Sequence, residues 1–369
     1  MYDNRSKIIV FIIVLSLILS LFTIFISSES TPSVSAKAAA LYQPDTDSFL
    51  YLKNADERLP MASTTKIMTA LISLEELDLK ENISIDGRAV GIEGSSIYLK
   101  SGEILSALDL IYAVMLQSAN DAAAALAYKI SGSIEAFAEL MNEKAKALGL
   151  KNTNFTNPHG LDDKEHYTSA RDLAIITAEA YKNSCFKNIA STYKKEIESS
   201  EVKRTLVNHN KLLKSYEGCI GVKTGYTKKS GRCLVSAAER DNLKFICVTI
   251  DAPDDWRDHT EMLDYGYSLL EARSLAHSGN FNFNLPVING TEDVINVSNT
   301  DEIIKIFNKN DAQIEFTVKL PRYVVAPIKK GDVLGTVIFL KRGEKIAELN
   351  LSATNNICEA KSKKKFSLF

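Results

Sequence analysis

Three short polar motifs carry residue types that can perform nucleophilic catalysis, and they occur in the order Ser63-Thr64-Thr65-Lys66, Ser118-Ala119-Asn120 and Lys223-Thr224-Gly225. In the first motif the lysine follows the serine by three residues, and in a helix this spacing places both side chains on one face. A lysine whose pKa is lowered by burial and by neighbouring cations can accept the proton of a serine hydroxyl. The helix N-terminus also favours negative charge that develops on the serine oxygen. These properties predict that Ser63 is a nucleophile and that Lys66 is its base.

The second and third motifs are suited to a substrate-binding cleft. Ser118 and Asn120 come just before or within a predicted helix at residues 121–127, whose exposed start would direct both side chains into a cleft. Lys223-Thr224-Gly225 ends a strand-like run, and a glycine there lets a substrate backbone lie close to the strand edge. Singly, such motifs are weak signals because similar ones recur, as at Ser184–Lys187, where we interpret them as chance arrangements on solvated surfaces.

The elements that must position these motifs are predicted from hydrophobic periodicity. Apolar residues at helical spacing predict helices at 62–77, 108–130, 134–148, 170–181 and 261–272. Apolar or alternating runs predict strands at 48–52, 219–226, 231–239 and 243–251, with a turn at 240–242. A strand, several helices and a strand meander together indicate an antiparallel sheet with helices packed against it, which is the α+β class.

The sequence pattern changes near residue 275. Short alternating runs predict further strands at 293–297, 302–307, 313–318, 333–340 and 345–351, with a hairpin turn at Arg342-Gly343. We therefore predict a catalytic domain at 37–275 and a small all-β domain at 280–352. Residues 353–369 form a basic tail, which we interpret as solvated, with contact to a membrane surface as the alternative.

The first 36 residues are interpreted as an export signal. An uncharged apolar stretch, Ile8–Ile26, is followed by a Ser/Thr/Pro/Ala-rich linker at 27–40. Val34 and Ala36 favour cleavage before Lys37, as in a secretory signal peptide. The apolar stretch is nearly long enough to cross a bilayer, which needs roughly 20 residues, so retention as an N-terminal membrane anchor is the alternative. Both interpretations place the rest of the chain outside the cytoplasm.

Composition and charge argue against several functional classes. The chain has 369 residues, with 44 Lys+Arg against 46 Asp+Glu, and a net charge of -2 is unsuited to nucleic-acid binding through phosphate neutralisation. The five cysteines include no C-x-x-C pair, so we do not expect a zinc ribbon or a thioredoxin-like site. The five histidines include no tight ligand pair, and the sequence contains neither a G-x-S-x-G elbow nor a phosphate-binding glycine loop.

Four stretches of the chain resemble the serine-type D-alanyl-D-alanine carboxypeptidases, which are the low-molecular-mass penicillin-binding proteins. They are residues 60–69 (PMASTTKIMT), 117–121 (QSAND), 157–161 (NPHGL) and 221–227 (GVKTGYT). The resemblance implies the penicillin-binding/β-lactamase-like transpeptidase fold, in which a five-stranded antiparallel sheet packs with helices and the site lies between the sheet and an all-helical region. It also includes a C-terminal β-rich module. Many members end in a long amphipathic membrane anchor, whereas here only residues 355–369 follow the β module.

The resemblance implies a catalytic role for three side chains. Ser63 would attack the carbonyl carbon of the penultimate D-alanine of a peptidoglycan stem peptide, with Lys66 as general base, and β-lactam antibiotics would acylate the same serine. Ser118 would relay a proton to the leaving amine. The backbone N–H groups of Ser63 and Tyr226 would form the oxyanion hole. No metal or cofactor is implied.

The resemblance also implies the residues that bind substrate. Asn120 would hydrogen-bond the peptide chain, and Lys223 and Thr224 would bind its terminal carboxylate. Gly225, with Tyr226 after it, would form the strand edge along which the peptide lies. His159 matches the His-Gly-Leu loop of the family and would contact the substrate or the loop.

Other activities and one residue are left as alternatives. Endopeptidase or transpeptidase activity would use the same acyl-enzyme on cross-linked wall. A β-lactamase would need efficient deacylation, which in one class uses a dedicated glutamate that we cannot assign here. A catalytically silent wall-binding protein would have no need of Lys66 beside Ser63. Arg257 lies where the family often places a carboxylate-binding arginine, but Asp255-Trp256-Arg257 does not match cleanly, and a surface arginine is the alternative.

Overall fold

A computed structural model of the chain describes residues 31–199 and 202–361. Of these, residues 34–199 and 202–361 belong to one compact unit. The apolar stretch Ile8–Ile26 of the predicted export signal, and residues 362–369 of the predicted basic tail, lie outside the described residues. Within the two described ranges, no helix is both long enough and apolar enough to cross a membrane.

The described residues contain helices and strands in alternating groups. The helices are α1 Lys66–Glu76, α2 Ala107–Leu116, α3 Asn120–Ser131, α4 Ile134–Ala147, α5 Ala170–Ala180, α6 Ser184–Ser191, α7 Leu212–Ser215 and α8 Asp255–Leu269. The strands of the first 250 residues are β1 Ala38–Gln43, β2 Ser48–Lys53, β3 Asn82–Ser84, β4 Ile104–Ser106, β5 Lys194–Glu198, β6 Lys203–Val207, β7 Cys219–Thr227, β8 Gly231–Arg240 and β9 Leu243–Ile250. The later strands are β10 Leu270–Ala276, β11 Asn282–Ile288, β12 Val294–Ser298, β13 Ile303–Asn308, β14 Glu315–Lys319, β15 Val324–Val325, β16 Val333–Lys341 and β17 Glu344–Ala353.

A five-stranded antiparallel sheet in the order β2-β1-β9-β8-β7 forms the centre of the larger region. Side chains alternate between its faces along β9. Ile246 and Val248 pack with the helices from α1 to α6, whereas Phe245 and Cys247 pack with Met262 and its neighbours on α8. The predicted α+β fold is confirmed. Because β7 is an edge strand, one side of its backbone is open to a ligand.

Several predicted boundaries differ from the structure. The single helix predicted at 108–130 is two helices, α2 and α3, because Ser118 adopts a left-handed φ of 59° between them. The helix predicted at 261–272 is α8, whose first turn carries Asp255 and Asp258, as the positive end of the helix dipole favours. The predicted linker at 27–40 overlaps β1, which begins at Ala38 and is buried throughout. Alanine has a low β-propensity, which hid this strand.

A short N-terminal segment is fixed to the start of α8. The backbone N–H and hydroxyl of Ser35 and the backbone N–H of Ala36 all donate to one carboxylate oxygen of the buried Asp258, at 2.9, 2.7 and 3.1 Å. The side chain of Val34 is also buried. These three residues are therefore part of the folded structure.

The C-terminal region is built entirely from strands. β10 pairs with β13, and a six-stranded sheet follows in the order β14-β16-β17-β12-β11-β15. Alternating residues form its core, among them Ile295, Val297, Val337 and Leu351. The predicted all-β character of this region is confirmed, although β10, β11 and β15 were not predicted. In the preceding region, α6 and the β3–β4 and β5–β6 pairs were also missed.

Candidate active site

Ser63 lies in a 3-10 turn, Ala62–Thr65, that leads directly into α1. Lys66 is the first residue of α1, and its Nζ donates a hydrogen bond to Ser63 Oγ at 3.0 Å. The spacing of three residues thus brings the two side chains together on one face of the turn and helix. The serine hydroxyl is directly beside an amine that can accept its proton.

The Lys66 amine is completely buried and uses all of its hydrogen-bonding capacity. Besides Ser63, it donates to Asn120 Oδ1 at 2.6 Å and to the main-chain oxygen of His159 at 2.5 Å. An ammonium donates to all three partners, whereas the neutral amine has two N–H donors for the two carbonyl oxygens and a lone pair that accepts from the Ser63 hydroxyl. These contacts also hold Nζ in one position, which fixes its distance to the Ser63 hydroxyl.

Burial is the main cause that lowers the pKa of Lys66 well below its ordinary value. The positive charge of Lys223 lowers the pKa further, and the negative charge of Asp121 opposes the shift. Burial also lowers the pKa of Lys223, to about 7. A lysine with a lowered pKa is neutral in a larger fraction of molecules, so burial makes the Lys66 amine more available as a base for the Ser63 hydroxyl.

Ser118 and Asn120 form the wall of the site on the helical side. Ser118 is the left-handed residue between α2 and α3, and the turn brings it to the cleft. Asn120 begins α3; its N–H donates to the oxygen of Ser95 at 2.7 Å and its Nδ2 donates to the oxygen of Glu93 at 2.5 Å. The bond from Nδ2 to Glu93 fixes the orientation of the Asn120 side-chain amide, so its oxygen points at Lys66.

Asp121 holds the loop that carries Ser95, and sequence reasoning did not identify it as a site residue. Its buried carboxylate accepts hydrogen bonds from the Ser96 hydroxyl at 2.6 Å and from the Leu99 N–H at 3.0 Å. The signal was present in the sequence, because Asp121 directly follows the Ser118-Ala119-Asn120 motif. A charged residue that is buried there must have partners.

Strand β7 forms the opposite wall and passes very close to the nucleophile. A Cβ atom at Gly225 would lie 3.0 Å from the backbone nitrogen of Ser63 and 3.1 Å from the Cβ of Ala62. Only glycine fits this approach without displacement of the turn. Lys223 is buried beside Lys66, with its Nζ donating to the oxygen of Thr224 at 2.8 Å.

The loop at 157–161 forms the floor beneath the nucleophile turn. Gly160 adopts a φ of 86°, and a Cβ at this position would lie only 1.9 Å from the oxygen of Ala62. His159 takes part through its main-chain oxygen, which accepts from Lys66. Burial lowers the pKa of the His159 ring to about 3, followed by the effect of Lys66, so the ring is neutral.

His166 also contacts the turn that contains Ser63. Its Nδ1 accepts from the Thr156 N–H at 3.0 Å, so the proton of the neutral ring is on Nε2, which lies 2.8 Å from Thr65 Oγ1. Burial lowers the pKa of His166 to about 4. A neutral His166 therefore donates to the turn that contains Ser63.

These walls enclose an open cleft of about 360 Å³. Its lining combines predicted and unpredicted residues, namely Ser63, Ser95, Ser118, His209, Thr224, Gly225, Tyr226, Arg232, Asp255 and Trp256. Lys66, Asn120, Lys223 and His159 lie behind this surface and are buried. The arrangement combines a serine nucleophile, a depressed-pKa amine and an exposed strand edge, which together suit acyl transfer.

Arg257 does not line this cleft. Its guanidinium contacts Asp254 at 3.3 Å, Asp258 at 3.5 Å and Glu261 at 3.6 Å. The arginine in the cleft wall is instead Arg232 on β8. Its position could have been predicted, because a hairpin between the predicted strands at 219–226 and 231–239 places the start of the second strand opposite the end of the first.

Two family models match the chain. Residues 26–254 match "D-alanyl-D-alanine carboxypeptidase", and residues 271–359 match "Penicillin-binding protein 5, C-terminal domain". Among curated proteins, the chain is 38% identical to D-alanyl-D-alanine carboxypeptidase DacF of Bacillus subtilis, over 88% of this chain and 86% of that protein. It is 32% identical to DacC of Escherichia coli, over 89% of this chain and 86% of that protein.

The fold is also similar to solved structures of penicillin-binding proteins and D-alanyl-D-alanine carboxypeptidases. Penicillin-binding protein 5 from Haemophilus influenzae superposes with a TM-score of 0.65 and 29% identity, covering 89% of this chain and 99% of that one. D-alanyl-D-alanine carboxypeptidase DacD from Francisella tularensis also gives a TM-score of 0.65, at 27% identity, with coverage of 90% and 95%. A Streptomyces DD-transpeptidase gives 0.62 at 33% identity, covering 65% of this chain and all of that one.

Proposed function

The chain belongs to the D-alanyl-D-alanine carboxypeptidase family, and from this premise we propose how its cleft removes the terminal D-alanine from a peptidoglycan stem peptide. The reaction is acyl transfer: the peptide is first bound to the enzyme as an ester of Ser63 and is then released by water. Penicillin inhibits enzymes of this family because it acylates the same serine. Each step below is assigned to residues whose geometry supports it.

Acylation begins with the attack of Ser63 Oγ on the carbonyl carbon of the penultimate D-alanine. As the new C–O bond forms, the hydroxyl proton passes to the neutral amine of Lys66, which lies 3.0 Å away. The carbonyl oxygen becomes an oxyanion, and the backbone N–H groups of Ser63 and Tyr226 stabilise it. Each such donor is worth about 3 kcal/mol in other acyl-transfer enzymes. The close approach of Gly225 to the Ser63 nitrogen supports this pairing.

Collapse of the tetrahedral intermediate breaks the C–N bond to the terminal D-alanine. The leaving nitrogen needs one proton, and the proton held by Lys66 can return through the Ser118 hydroxyl, which lines the same cleft. Deacylation reverses these roles. Water gives a proton to the Lys66 amine as its oxygen attacks the ester, and Ser63 leaves with that proton.

Substrate binding is assigned to the two walls. Asn120 would bind a peptide group of the substrate, and the open edge of β7 at Gly225 and Tyr226 would pair with the peptide backbone. The charged form of Lys223 and the hydroxyl of Thr224 would attract the terminal carboxylate, a charge-assisted contact. We assign His159 to the positioning of Lys66, because its main-chain oxygen accepts from the amine.

The observation that carries this proposal is a buried, fully coordinated Lys66 with Ser63 Oγ as one of its three partners. The test is release of D-alanine from diacetyl-L-lysyl-D-alanyl-D-alanine by the wild-type chain and by Ser63→Ala. Release by the wild type alone is expected. Equal release by both would remove Ser63 from the mechanism.

Transpeptidation is a second candidate, supported by the similarity to a Streptomyces DD-transpeptidase. It uses the same ester of Ser63, but an amine replaces water as the acceptor. Addition of an amino acceptor to the assay separates the two, since a transpeptidase gives a longer product. An endopeptidase would act on cross-linked wall and not on the tripeptide. A β-lactamase would turn over penicillin rapidly, and a silent wall-binding protein would neither release D-alanine nor bind penicillin covalently.

Export and domain division complete the proposal. The apolar stretch Ile8–Ile26 supports an export signal or membrane anchor, and the stem peptides on which this family acts lie outside the cytoplasm. We propose a catalytic domain at 37–275 and a β-rich domain at 280–352, which the two family matches support. Cell fractionation with an antibody to the β-rich domain tests the location, and recovery of the full chain in the cytosol would contradict it.

A further inference from the structure

One cationic side chain in the wall of the cleft has no part in the mechanism above. Arg232 lines the same cleft as Ser63 and Ser118. Its partner across the β7–β8 ladder is Tyr226, the residue whose N–H is assigned to the oxyanion hole. Directly paired residues place their side chains on the same face of a sheet. Arg232 therefore shares with Tyr226 the face of the sheet that is covered by α8, one ladder position beyond Gly225 on the strand edge where the substrate backbone would pair.

Its neighbours hold this arginine in place. Nη2 of Arg232 donates to Asp255 at 2.8 Å, and Asp255 is buried and also accepts from the Trp256 N–H at 3.0 Å. The guanidinium carbon is 5.9 Å from the centre of the Trp256 ring. The Arg232 side chain remains 45% exposed. A guanidinium has five N–H donors, so this one carboxylate contact leaves the other donors available to a ligand.

The charges around Arg232 favour an anion. A second cation lies close by, because the Nζ of Lys211 is 6.0 Å from the centre of the Trp256 ring that also faces Arg232. Asp255 is the acidic side chain that lines the cleft, and it is already paired with Arg232. Arginine binds carboxylates in a planar, two-pronged geometry, which gives orientation as well as affinity.

We propose that Arg232 binds a carboxylate of the donor peptide and thereby determines which stem peptides the enzyme prefers. The inference rests on the proposed function. Two carboxylates of a stem peptide could be the ligand: that of the terminal D-alanine, or the free side-chain carboxylate present when the third residue is meso-diaminopimelate. Both are the same chemical group, and substrates distinguish them.

The test compares Arg232→Gln with Arg257→Gln in the full chain. Arg257 is the matched control, because it carries the same group at the start of α8 but lies outside the cleft. We expect kcat/KM for D-alanine release to fall about 10- to 100-fold in Arg232→Gln, mainly through KM, because hydrogen bonds to charged groups contribute on this scale. Arg257→Gln should stay within about twofold of the wild type.

Two substrates identify the carboxylate. An equal loss on diacetyl-L-lysyl-D-alanyl-D-alanine and on its meso-diaminopimelyl counterpart assigns Arg232 to the terminal carboxylate. A loss confined to the counterpart assigns it to the side-chain carboxylate. Unchanged kcat/KM on both, or an equal loss in Arg257→Gln, overturns the proposal.

Two further measurements separate this proposal from other causes. Arg232→Gln leaves the buried Asp255 carboxylate without its partner, and the double variant Arg232→Gln, Asp255→Asn removes that carboxylate as well. Recovery of wild-type kcat/KM in the double variant would overturn a direct role of Arg232. A persistent loss supports that role. Arg232→Lys should give an intermediate loss. If the wild type releases no D-alanine, the proposed function fails. The role of Arg232 is then tested by the rate of acylation by benzylpenicillin, which has one carboxylate. A slower rate in Arg232→Gln supports carboxylate binding, and an unchanged rate overturns it.

Discussion

The contact between Gly160 and the nucleophile turn offers a sharp test of how the site is built. A Cβ added at Gly160 would lie 1.9 Å from the oxygen of Ala62, whereas real Cβ contacts are essentially never under 3.0 Å. Gly160→Ala must therefore shift the turn or the loop by roughly 1 Å, and a displacement of this size can reduce catalysis about 100-fold. We expect the second-order rate of acylation by fluorescent penicillin to fall by that factor.

A second glycine separates this contact from backbone strain. Gly149 has a φ of 73°, and a Cβ added there would have no atom within 4 Å, so Gly149→Ala carries only the cost of a left-handed alanine, roughly 1–2 kcal/mol. Gly160→Ala carries the same cost together with the collision. Both variants should lower the melting temperature, but only Gly160→Ala should slow acylation. A wild-type acylation rate in folded Gly160→Ala would refute this account of the floor of the site.

Three further predictions concern the charged groups and the N-terminal segment. The rate of acylation should rise with pH as Lys66 loses its proton. Asp121→Asn should move this rise to lower pH, because the Asp121 charge raises the pKa of Lys66. A rise that stays at the same pH or moves to higher pH contradicts this assignment. At higher pH the rate of acylation should fall as Lys223 becomes neutral. Lys223→Arg should remove this fall, because arginine stays charged. A fall that persists in Lys223→Arg contradicts the role given to the Lys223 charge. A chain beginning at Lys37 should melt several degrees below one beginning at residue 31, because Asp258 loses three donors; equal melting temperatures contradict this.

Local spacing explains what could be predicted from the sequence. The pairing of Ser63 with Lys66 follows from helix geometry, so the motif alone indicated it. The apolar run at 243–251 likewise predicted a strand, and the structure places β9 there. The contacts that complete the site join distant parts of the chain: the main-chain oxygen of His159 reaches Lys66 across 93 positions of sequence. No local pattern encodes such a contact, because the tertiary fold creates it.

Two features were hidden for more specific physical reasons. The buried strand β1 is rich in alanine, which has little preference for strands, so it resembled a linker. The break at Ser118 depends on one left-handed residue within an otherwise helical apolar pattern. By contrast, Arg232 could have been placed opposite Tyr226 by counting back across the predicted hairpin.

The most direct test of the central claim is to locate the residue that penicillin acylates. The full chain is labelled with benzylpenicillin, digested and analysed by mass spectrometry, beside Ser63→Ala and Lys66→Ala. We predict one adduct, on Ser63, that is absent from Ser63→Ala and forms far more slowly in Lys66→Ala. An adduct on Thr64, Ser118 or any other residue, or an undiminished rate without the Lys66 amine, would contradict the account.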